Sequence, residues 1–181
     1  DGTWPDNNIT RVDFLKRLRY MEPNMPYRTY AQYSNVMYVA VGGIMEAVTG
    51  KKWETLLEEE VFAPLGMNRT FCLMADAEKD CALPYWWQQG LRAVPRWNID
   101  MAGPCGSVMS TARDMAQWLL MHIQNGVWQG NELLSQANFQ DQHSPQIMMD
   151  YPHVQGGYSL GYGLGWRVLD YHGHVVQQHT G

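Results

Sequence analysis

A phenol, a hydroxyl and a carboxamide stand together at Tyr33, Ser34 and Asn35, directly before the apolar run at residues 36–41. In water a tyrosine is a poor base, because its pKa is ~10. It becomes useful for catalysis where neighbouring positive charge favours the phenolate. The asparagine can donate and accept hydrogen bonds to a substrate amide without titrating. This stretch therefore offers proton transfer and amide recognition side by side.

Five predicted helices precede a pair of predicted strands and position these side chains. Ser34 or Asn35 is a good N-cap for the helix that follows, and Gly50 ends it. Apolar residues occupy every side of that helix, which predicts a central and buried position. Capping-box spacings at residues 10–13 and 111–114 begin two more helices. The predicted helices cover about residues 10–20, 35–49, 53–63, 111–125 and 133–142.

From Tyr158 onward the apolar period changes from helical to alternating. Residues 158–168 and 175–179 therefore predict two strands of an antiparallel hairpin, with a turn at residues 171–174. Two strands alone are barely stable in water, so the sheet is expected to gain strands from outside these residues. The irregular and aromatic-rich residues 72–102 either wall a pocket or pack their rings on a scaffold.

The composition bounds the class of protein. The 181 residues are 45% hydrophobic and 17% charged, which predicts a globular domain with a real core. The net charge is -5 and there is no run of lysine or arginine, so the sequence lacks the basic patch that binds nucleic acid. The longest apolar run, residues 36–48, is shorter than the ~20 residues that a membrane span needs. We therefore expect neither nucleic acid as a partner nor a membrane span.

Metal ligands and reactive thiols are not indicated either. His172 and His174 share one face of a strand but lack a third ligand at tetrahedral geometry. The three cysteines form no C-x-x-C pair, so they predict ordinary, mostly buried thiols. We expect the chemistry to need no metal and no organic cofactor.

Four stretches in order resemble the serine β-lactamase and penicillin-binding-protein superfamily, in its class C and carboxylesterase-like branch. Residues 33–35 and the helix after them resemble its Tyr-x-Asn motif. Residues 50–67 resemble its helix and Pro-Leu-Gly-Met turn, and residues 103–118 its Gly-rich turn and following helix. His-Thr-Gly at residues 179–181 resembles its third motif, Lys-Thr-Gly or His-x-Gly. The resemblance covers nearly the whole chain.

The fold that this resemblance implies is α/β, of the β-lactamase/transpeptidase type. A mainly helical region over residues 1–157 would carry the Tyr-x-Asn motif. Residues 158–181 would form an antiparallel hairpin that belongs to the sheet and ends in His-Thr-Gly. Only part of the sheet would be present in this chain.

The activity that the resemblance implies is that of a serine hydrolase, which forms an acyl-enzyme on esters or amides. Tyr33 would deprotonate the nucleophile or protonate the leaving group, and His179 would supply a donor or positive charge beside it. Asn35 would hold the substrate amide, while Thr180 and Gly181 would line the strand against which an extended substrate lies. A histidine in place of the third-motif lysine is charged only part of the time near neutral pH. This favours carboxylesterase or D-aminoacyl peptidase activity over efficient β-lactam hydrolysis.

The nucleophile that the superfamily uses lies in Ser-x-x-Lys, and no serine of this chain is followed by lysine at the third position. We therefore expect that motif before residue 1, further strands after residue 181, and no activity from the 181 residues alone. The expected partners are a small ester, amide or peptide substrate and the missing N- and C-terminal segments of the same protein. A location outside the cytoplasm would follow only if the substrate is cell-wall peptide.

Two alternatives stay open from the sequence. The first is a non-catalytic binding module that keeps the cleft of the superfamily without its serine. The second is an unrelated helical scaffold whose motif matches are chance, in which Tyr33 would lie far from His179.

Overall fold

A computed structural model describes residues 9–77, 81–149 and 157–180. The chain forms two compact units, each built from two stretches of sequence. The first unit comprises residues 1–21 and 34–117, and the second comprises residues 22–33 and 118–181. The predicted division of the chain at residue 157 stays a prediction.

The first unit is mainly helical. Its helices are α1 (Arg11–Leu18), α2 (Asn35–Thr49), α3 (Trp53–Leu57), α4 (Ala63–Leu65) and the short α5 (Gly103–Gly106). A π-helical turn, Glu58–Phe62, joins α3 to α4, so the predicted helix over residues 53–63 is confirmed with an irregular middle. A small antiparallel hairpin, β1 (Tyr85–Trp87) and β2 (Leu91–Ala93), lies in the stretch predicted to be irregular. The first turn of α6 (Ala112–Ile123) also belongs to this unit, and the helix continues into the second.

Local hydrogen bonds begin and end these helices as the sequence predicts. The Thr10 hydroxyl oxygen accepts from the backbone N–H of Asp13 at 3.1 Å, and the same bond from Asp114 to Thr111 measures 3.2 Å. Gly50 ends α2 with a φ of 71°, in the left-handed region that glycine adopts without strain. Ser34 occupies the N-cap position of α2, but its side chain makes no cap hydrogen bond.

One face of α2 differs from the prediction that this helix is buried all round. Val36, Val39 and Gly42 are buried, and a Cβ at Gly42 would overlap Pro104 of α5. The opposite stripe is exposed, with exposed fractions of 53% for Met37, 51% for Val41, 62% for Ile44 and 81% for Val48. The prediction was wrong for this stripe, because the described residues of the unit pack against only one side of the helix.

Arg11 joins the helices of the first unit through a partly buried ion network. Its guanidinium donates to Glu46 and to Glu54, at 2.5 Å in each case. It also donates to the backbone carbonyls of Asp100, at 3.1 Å, and Met101, at 3.3 Å. Burial works to raise the pKa of Glu54, but the Arg11 hydrogen bond and charge outweigh it and hold the pKa below its ordinary value. One arginine therefore links α1, α2, α3 and the turn before α5.

The second unit contains a three-stranded antiparallel sheet. Its elements after α6 are a short hairpin, β3 (Val127–Trp128) and β4 (Asn131–Glu132), then α7 (Gln136–His143), β5 (Gly157–Tyr162), β6 (Arg167–Tyr171) and β7 (His174–Gln178). The stretch predicted as a single strand over residues 158–168 is divided between β5 and β6, so its predicted extent was wrong. The predicted antiparallel hairpin with a turn at residues 171–174 is confirmed as β6 and β7. A turn separates β5 from β6, closed by a 2.7 Å hydrogen bond from Gly163 N–H to the Trp166 carbonyl. The second predicted strand is confirmed as β7.

A bulge at Leu160 changes the register of β5 against β6. Ser159 pairs with Leu169, and Gly161 pairs with the adjacent residue Val168, so Leu160 has no direct partner on β6. A bulge of this kind moves every later side chain of the strand to the other face. Ser159 and Tyr162 consequently point to the same side of the sheet, since their partners Leu169 and Arg167 lie two residues apart.

Two histidines meet inside the second unit in what we call the buried cluster. It consists of Trp118, His122, Phe139, His143 and Trp166, with ring centroids 4.3 Å apart for Trp118–His122, 4.1 Å for Phe139–His143 and 5.1 Å for His122–Trp166. His143 Nδ1 lies 2.8 Å from the Phe139 carbonyl, which only accepts, so Nδ1 carries a hydrogen. In this tautomer Nε2 accepts from His122 Nδ1, 3.1 Å away.

This arrangement fixes the protonation of His122. Its Nε2 is buried and has no hydrogen-bond partner among the described residues. Burial, and secondarily the neighbouring His143, lower the pKa of His122 to about 4. His122 is therefore neutral near pH 7, and the cluster is an aromatic core of the second unit.

None of the helices in the described ranges is both long and apolar enough to cross a bilayer.

Candidate active site

Tyr33 ends the first stretch of the second unit, after an approach that contains two prolines. A turn at residues 26–29 is closed by the Thr29 hydroxyl, which donates to the Pro26 carbonyl at 2.8 Å. The stretch then runs without regular structure to Tyr33, whose side chain is 52% exposed. The phenol of Tyr33 is thus accessible to a small molecule.

Tyr33 and His179 lie side by side although 146 positions separate them in the sequence. Their ring centroids are 5.9 Å apart and their planes are tilted by 30°. Tyr162, at the end of β5, contacts the same histidine edge-on, with a centroid distance of 6.2 Å. We call Tyr33, Tyr162 and His179 the open cluster. The structure therefore brings together the two residues to which the resemblance assigned catalytic roles.

The hydrogen bonds of His179 determine which ring nitrogen is available. Its Nδ1 lies 2.6 Å from the backbone carbonyl of Thr180. A carbonyl oxygen only accepts, so the hydrogen is on Nδ1. Nε2 is therefore the nitrogen that can accept a proton, or return one, toward a neighbouring group.

Arg167 is a member of this region that the sequence reasoning missed. It opens β6, where it pairs with Tyr162 on one side and with Gln178 on the other. Its Nη1 donates to the Thr180 hydroxyl at 3.4 Å. A guanidinium is always charged in proteins, so Arg167 adds a permanent cation beside the strand end. The correct strand pairing would have revealed it, because Arg167 faces the residue directly before His179.

The remaining predicted site residues lie at the ends of elements. Asn35 is the first residue of α2, partly exposed, and belongs to the first unit. Thr180 is exposed and follows His179 directly after β7. Gly181 lies outside the described residues. The roles proposed for Tyr33, His179, Asn35, Thr180 and Gly181 remain predictions.

Two of the cysteines are poor candidates for a substitute nucleophile. Burial raises the pKa of the Cys72 thiol to about 12 and also raises the pKa of the Cys105 thiol. The thiolate is the nucleophilic form of cysteine, so both thiols are inert near neutral pH. In the part of the chain that the structure describes, no three histidine, cysteine or acidic side chains come together as metal ligands.

The chain matches the Beta-lactamase family over residues 1–181 and belongs to that family. It is 29% identical to penicillin-binding protein 4 of Amycolatopsis lactamdurans over 86% of this chain and 42% of that protein. It is 27% identical to unguisins hydrolase ungD' of Aspergillus campestris over 99% of this chain and 34% of that protein.

The fold is shared with solved structures of the same kind. An octameric penicillin-binding protein homologue from Pyrococcus abyssi superposes with a TM-score of 0.80 and 25% identity, over 96% of this chain and 39% of that one. The chain therefore has the β-lactamase/transpeptidase fold, with helices and antiparallel strands that cover part of it. It spans about a third to two fifths of the length of these relatives.

Proposed function

We propose that this chain is the part of a serine hydrolase that carries the proton-transfer residues, and that the enzyme forms an acyl-enzyme on esters or amides. The observation that supports this most directly is the contact between Tyr33 and His179, which joins the Tyr-x-Asn motif to the His-Thr-Gly motif. Two motifs that are distant in sequence meet at exposed side chains. Core packing alone does not require that arrangement.

The tyrosine and the histidine would handle the proton of the reaction as a pair. The nucleophilic serine loses a proton when it attacks the carbonyl, and the leaving group gains one when it departs. Tyr33 would take the first proton and deliver the second. His179 Nε2 would accept a hydrogen bond from the phenol, or as imidazolium would donate one to the phenolate. Because Nδ1 is already bonded to Thr180, the ring orientation is set before substrate arrives.

Recognition of the substrate would fall to the residues at the ends of α2 and β7. Asn35 would donate a hydrogen bond to, and accept one from, an amide of the substrate. Because a carboxamide does not titrate, this recognition would not depend on pH. Thr180 and Gly181 would offer backbone groups to an extended substrate, as a strand edge does. Arg167 would hold the Thr180 hydroxyl and so position that edge.

The test is a burst experiment on the full-length protein, expressed from its complete gene, with a p-nitrophenyl ester. An acyl-enzyme mechanism predicts a rapid release of about one p-nitrophenol per protein, followed by slower turnover. Tyr33→Phe should lower the rate of the burst by about 10²-fold to 10⁴-fold, the usual contribution of a general acid or base. Tyr20→Phe, at a tyrosine that is 76% exposed and lies outside the candidate site, is the control and should keep the burst.

A folded protein that gives no burst with any ester or amide would overturn the enzymatic proposal. The non-catalytic binding module would then be preferred. Retention of the full burst by Tyr33→Phe would instead remove Tyr33 from the mechanism.

A further inference from the structure

A cleft of about 610 Å³ opens beside β5 in the second unit. Its described lining residues are Tyr30, Ala31, Met148, Met149, Tyr158 and Ser159. Pockets that hold small molecules fall in the range of ~300 to 1,000 Å³, so this cleft is large enough for a substrate side chain. Neither Tyr33 nor His179 belongs to its lining.

One lining residue of the cleft, Ser159, lies on the same face of the sheet as the open cluster. The bulge at Leu160 places Ser159 of the cleft on the same face as Tyr162, which contacts His179. Their partners on β6 are two residues apart, which corresponds to about 7 Å along a strand. Without the bulge, residues three positions apart would point to opposite faces.

Tyr30, another lining residue of the cleft, is close in sequence to Tyr33 of the open cluster. Tyr30 precedes Tyr33 by three residues, so the two backbones are at most about 11 Å apart. The methionines are held against β5 by the hydrogen bond from Tyr162 N–H to the Ile147 carbonyl, at 2.9 Å. The Ser159 hydroxyl donates a hydrogen bond to the Met149 carbonyl, so this hydroxyl has a structural role in the cleft.

The lining is apolar and aromatic, and it contains no charged side chain among the described residues. Tyr158 is 77% exposed, Met148 73% and Tyr30 65%, so a ligand would cover a large area of hydrophobic surface. Methionine adapts to irregular shapes and makes favourable contacts with aromatic rings. A charged ligand group would lose hydration here without gaining a partner of opposite charge.

We propose that this cleft binds a neutral, apolar side chain of the substrate, aromatic or branched aliphatic, and that Tyr158 and Met148 select for it. This inference rests on the proposed function, because it assigns the cleft to the substrate on which Tyr33 and His179 act. The substrate class is then an ester or amide of a hydrophobic acid, such as an N-acylated phenylalanine or leucine derivative.

The test compares two ligands that differ only in the side chain. N-acetyl-phenylalanine amide and N-acetyl-glutamate α-amide are titrated into the full-length protein labelled with ¹³C at the methionine methyl groups. The phenylalanine compound should shift the Met148 and Met149 signals, which are assigned from Met148→Leu and Met149→Leu. It should bind at least tenfold more tightly than the glutamate compound, measured by calorimetry.

Variants then locate the selectivity. Tyr158→Ala should weaken binding of the phenylalanine compound by about tenfold, the upper range for loss of one aromatic contact. Tyr20→Ala is the matched control, because Tyr20 is 76% exposed and lies outside the cleft; its affinity should equal the wild type. Met148→Ala provides a second, independent change in the lining and should weaken binding in the same direction.

The outcomes separate this inference from the proposed function. Equal affinity for the two amides, or unmoved Met148 and Met149 signals, would overturn the assignment of the cleft even if the protein shows a burst. Selective binding that Tyr33→Phe leaves unchanged, in a protein without any burst, would support the cleft and overturn the hydrolase.

Discussion

The second unit uses histidine in two clusters that differ in burial. In the buried cluster His143 is 7% exposed and its imidazole bonds to His122 between three aromatic rings. In the open cluster His179 is exposed and contacts two tyrosines, one of which is 52% exposed. The first pair is largely shielded from water, whereas the second is open to it.

This difference in burial determines which chemistry each histidine can perform. The two rings are joined to each other and to the backbone by hydrogen bonds. A proton added to His122 would be costly because its ring is largely buried and lies beside His143. The open histidine keeps one nitrogen available beside a phenol. The same side chain therefore stabilises the unit in one place and is suited to proton transfer in the other.

The largest effect should come from His179→Ala. Removal of the imidazole should lower the burst rate of the full-length protein on the order of 10²-fold, because Tyr33 loses its proton partner. The free energy of unfolding should change by less than about 0.5 kcal/mol, as for most exposed positions. Stopped-flow release of p-nitrophenol and urea unfolding measure the two quantities. A large loss of stability with normal activity would mean that His179 has a structural role and not a catalytic one.

The opposite pattern, a loss of stability with activity retained, is expected from His143→Leu in the buried cluster. It leaves the Nδ1–H of His122 without an acceptor, which should destabilise the second unit by about 1 to 3 kcal/mol. The burst rate should stay near the wild-type value, because the open cluster is untouched. His174→Leu, at an exposed position of β7, is the control and should leave the midpoint of urea unfolding unchanged.

Acid should affect the buried cluster through His122. The pKa of His122 is lowered from 6.5 to about 4 in the folded chain, so the unfolded chain binds more protons between these values. This contribution to stability is fully present above about pH 6.5 and is lost as the pH falls toward 4. Among the residues that the structure describes, His143 is the titratable neighbour that contributes to this shift in pKa. We expect the free energy of unfolding to fall by about 2 kcal/mol between pH 6.5 and pH 4. This is less than the full pKa shift would give, because the ring is partly exposed.

The measurement is urea unfolding at several pH values between 7 and 4. His122→Gln keeps an amide that can donate to His143 but does not titrate, so its stability should depend less on pH than that of the wild type. Identical pH dependence in the two proteins would show that His122 is not responsible. His174→Gln should follow the wild-type curve.

The smallest effect is expected from Thr180→Val, directly after His179 of the open cluster. The bond from Arg167 to the Thr180 hydroxyl is long, at 3.4 Å, and exposed. Its loss should cost less than about 0.5 kcal/mol of stability, with a change in KM within about threefold and kcat unchanged. Steady-state kinetics of ester hydrolysis would check this. A loss of kcat instead would mean that the hydroxyl acts in the chemical step.

The features that the sequence determined by itself are local. The capping bonds at Thr10 and Thr111 and the end of α2 at Gly50 were predicted because each involves residues at most four positions apart. The Tyr-x-Asn and His-Thr-Gly stretches were recognised for the same reason, since each motif is continuous. Side-chain chemistry and short-range hydrogen bonds can be read without knowing the fold.

Only the tertiary structure decided how distant parts meet. His122 and His143 are 21 positions apart in the sequence and belong to two different helices, α6 and α7. Neither helix alone indicates that its histidine faces the other. The bulge at Leu160 depends on the pairing of β5 with β6, and it determines that Ser159 of the cleft shares a face with Tyr162. Arg167 entered the candidate site through its partner Gln178. Strand register and helix packing are settled by burial of whole faces, and that free energy is a property of the assembled unit rather than of any short segment.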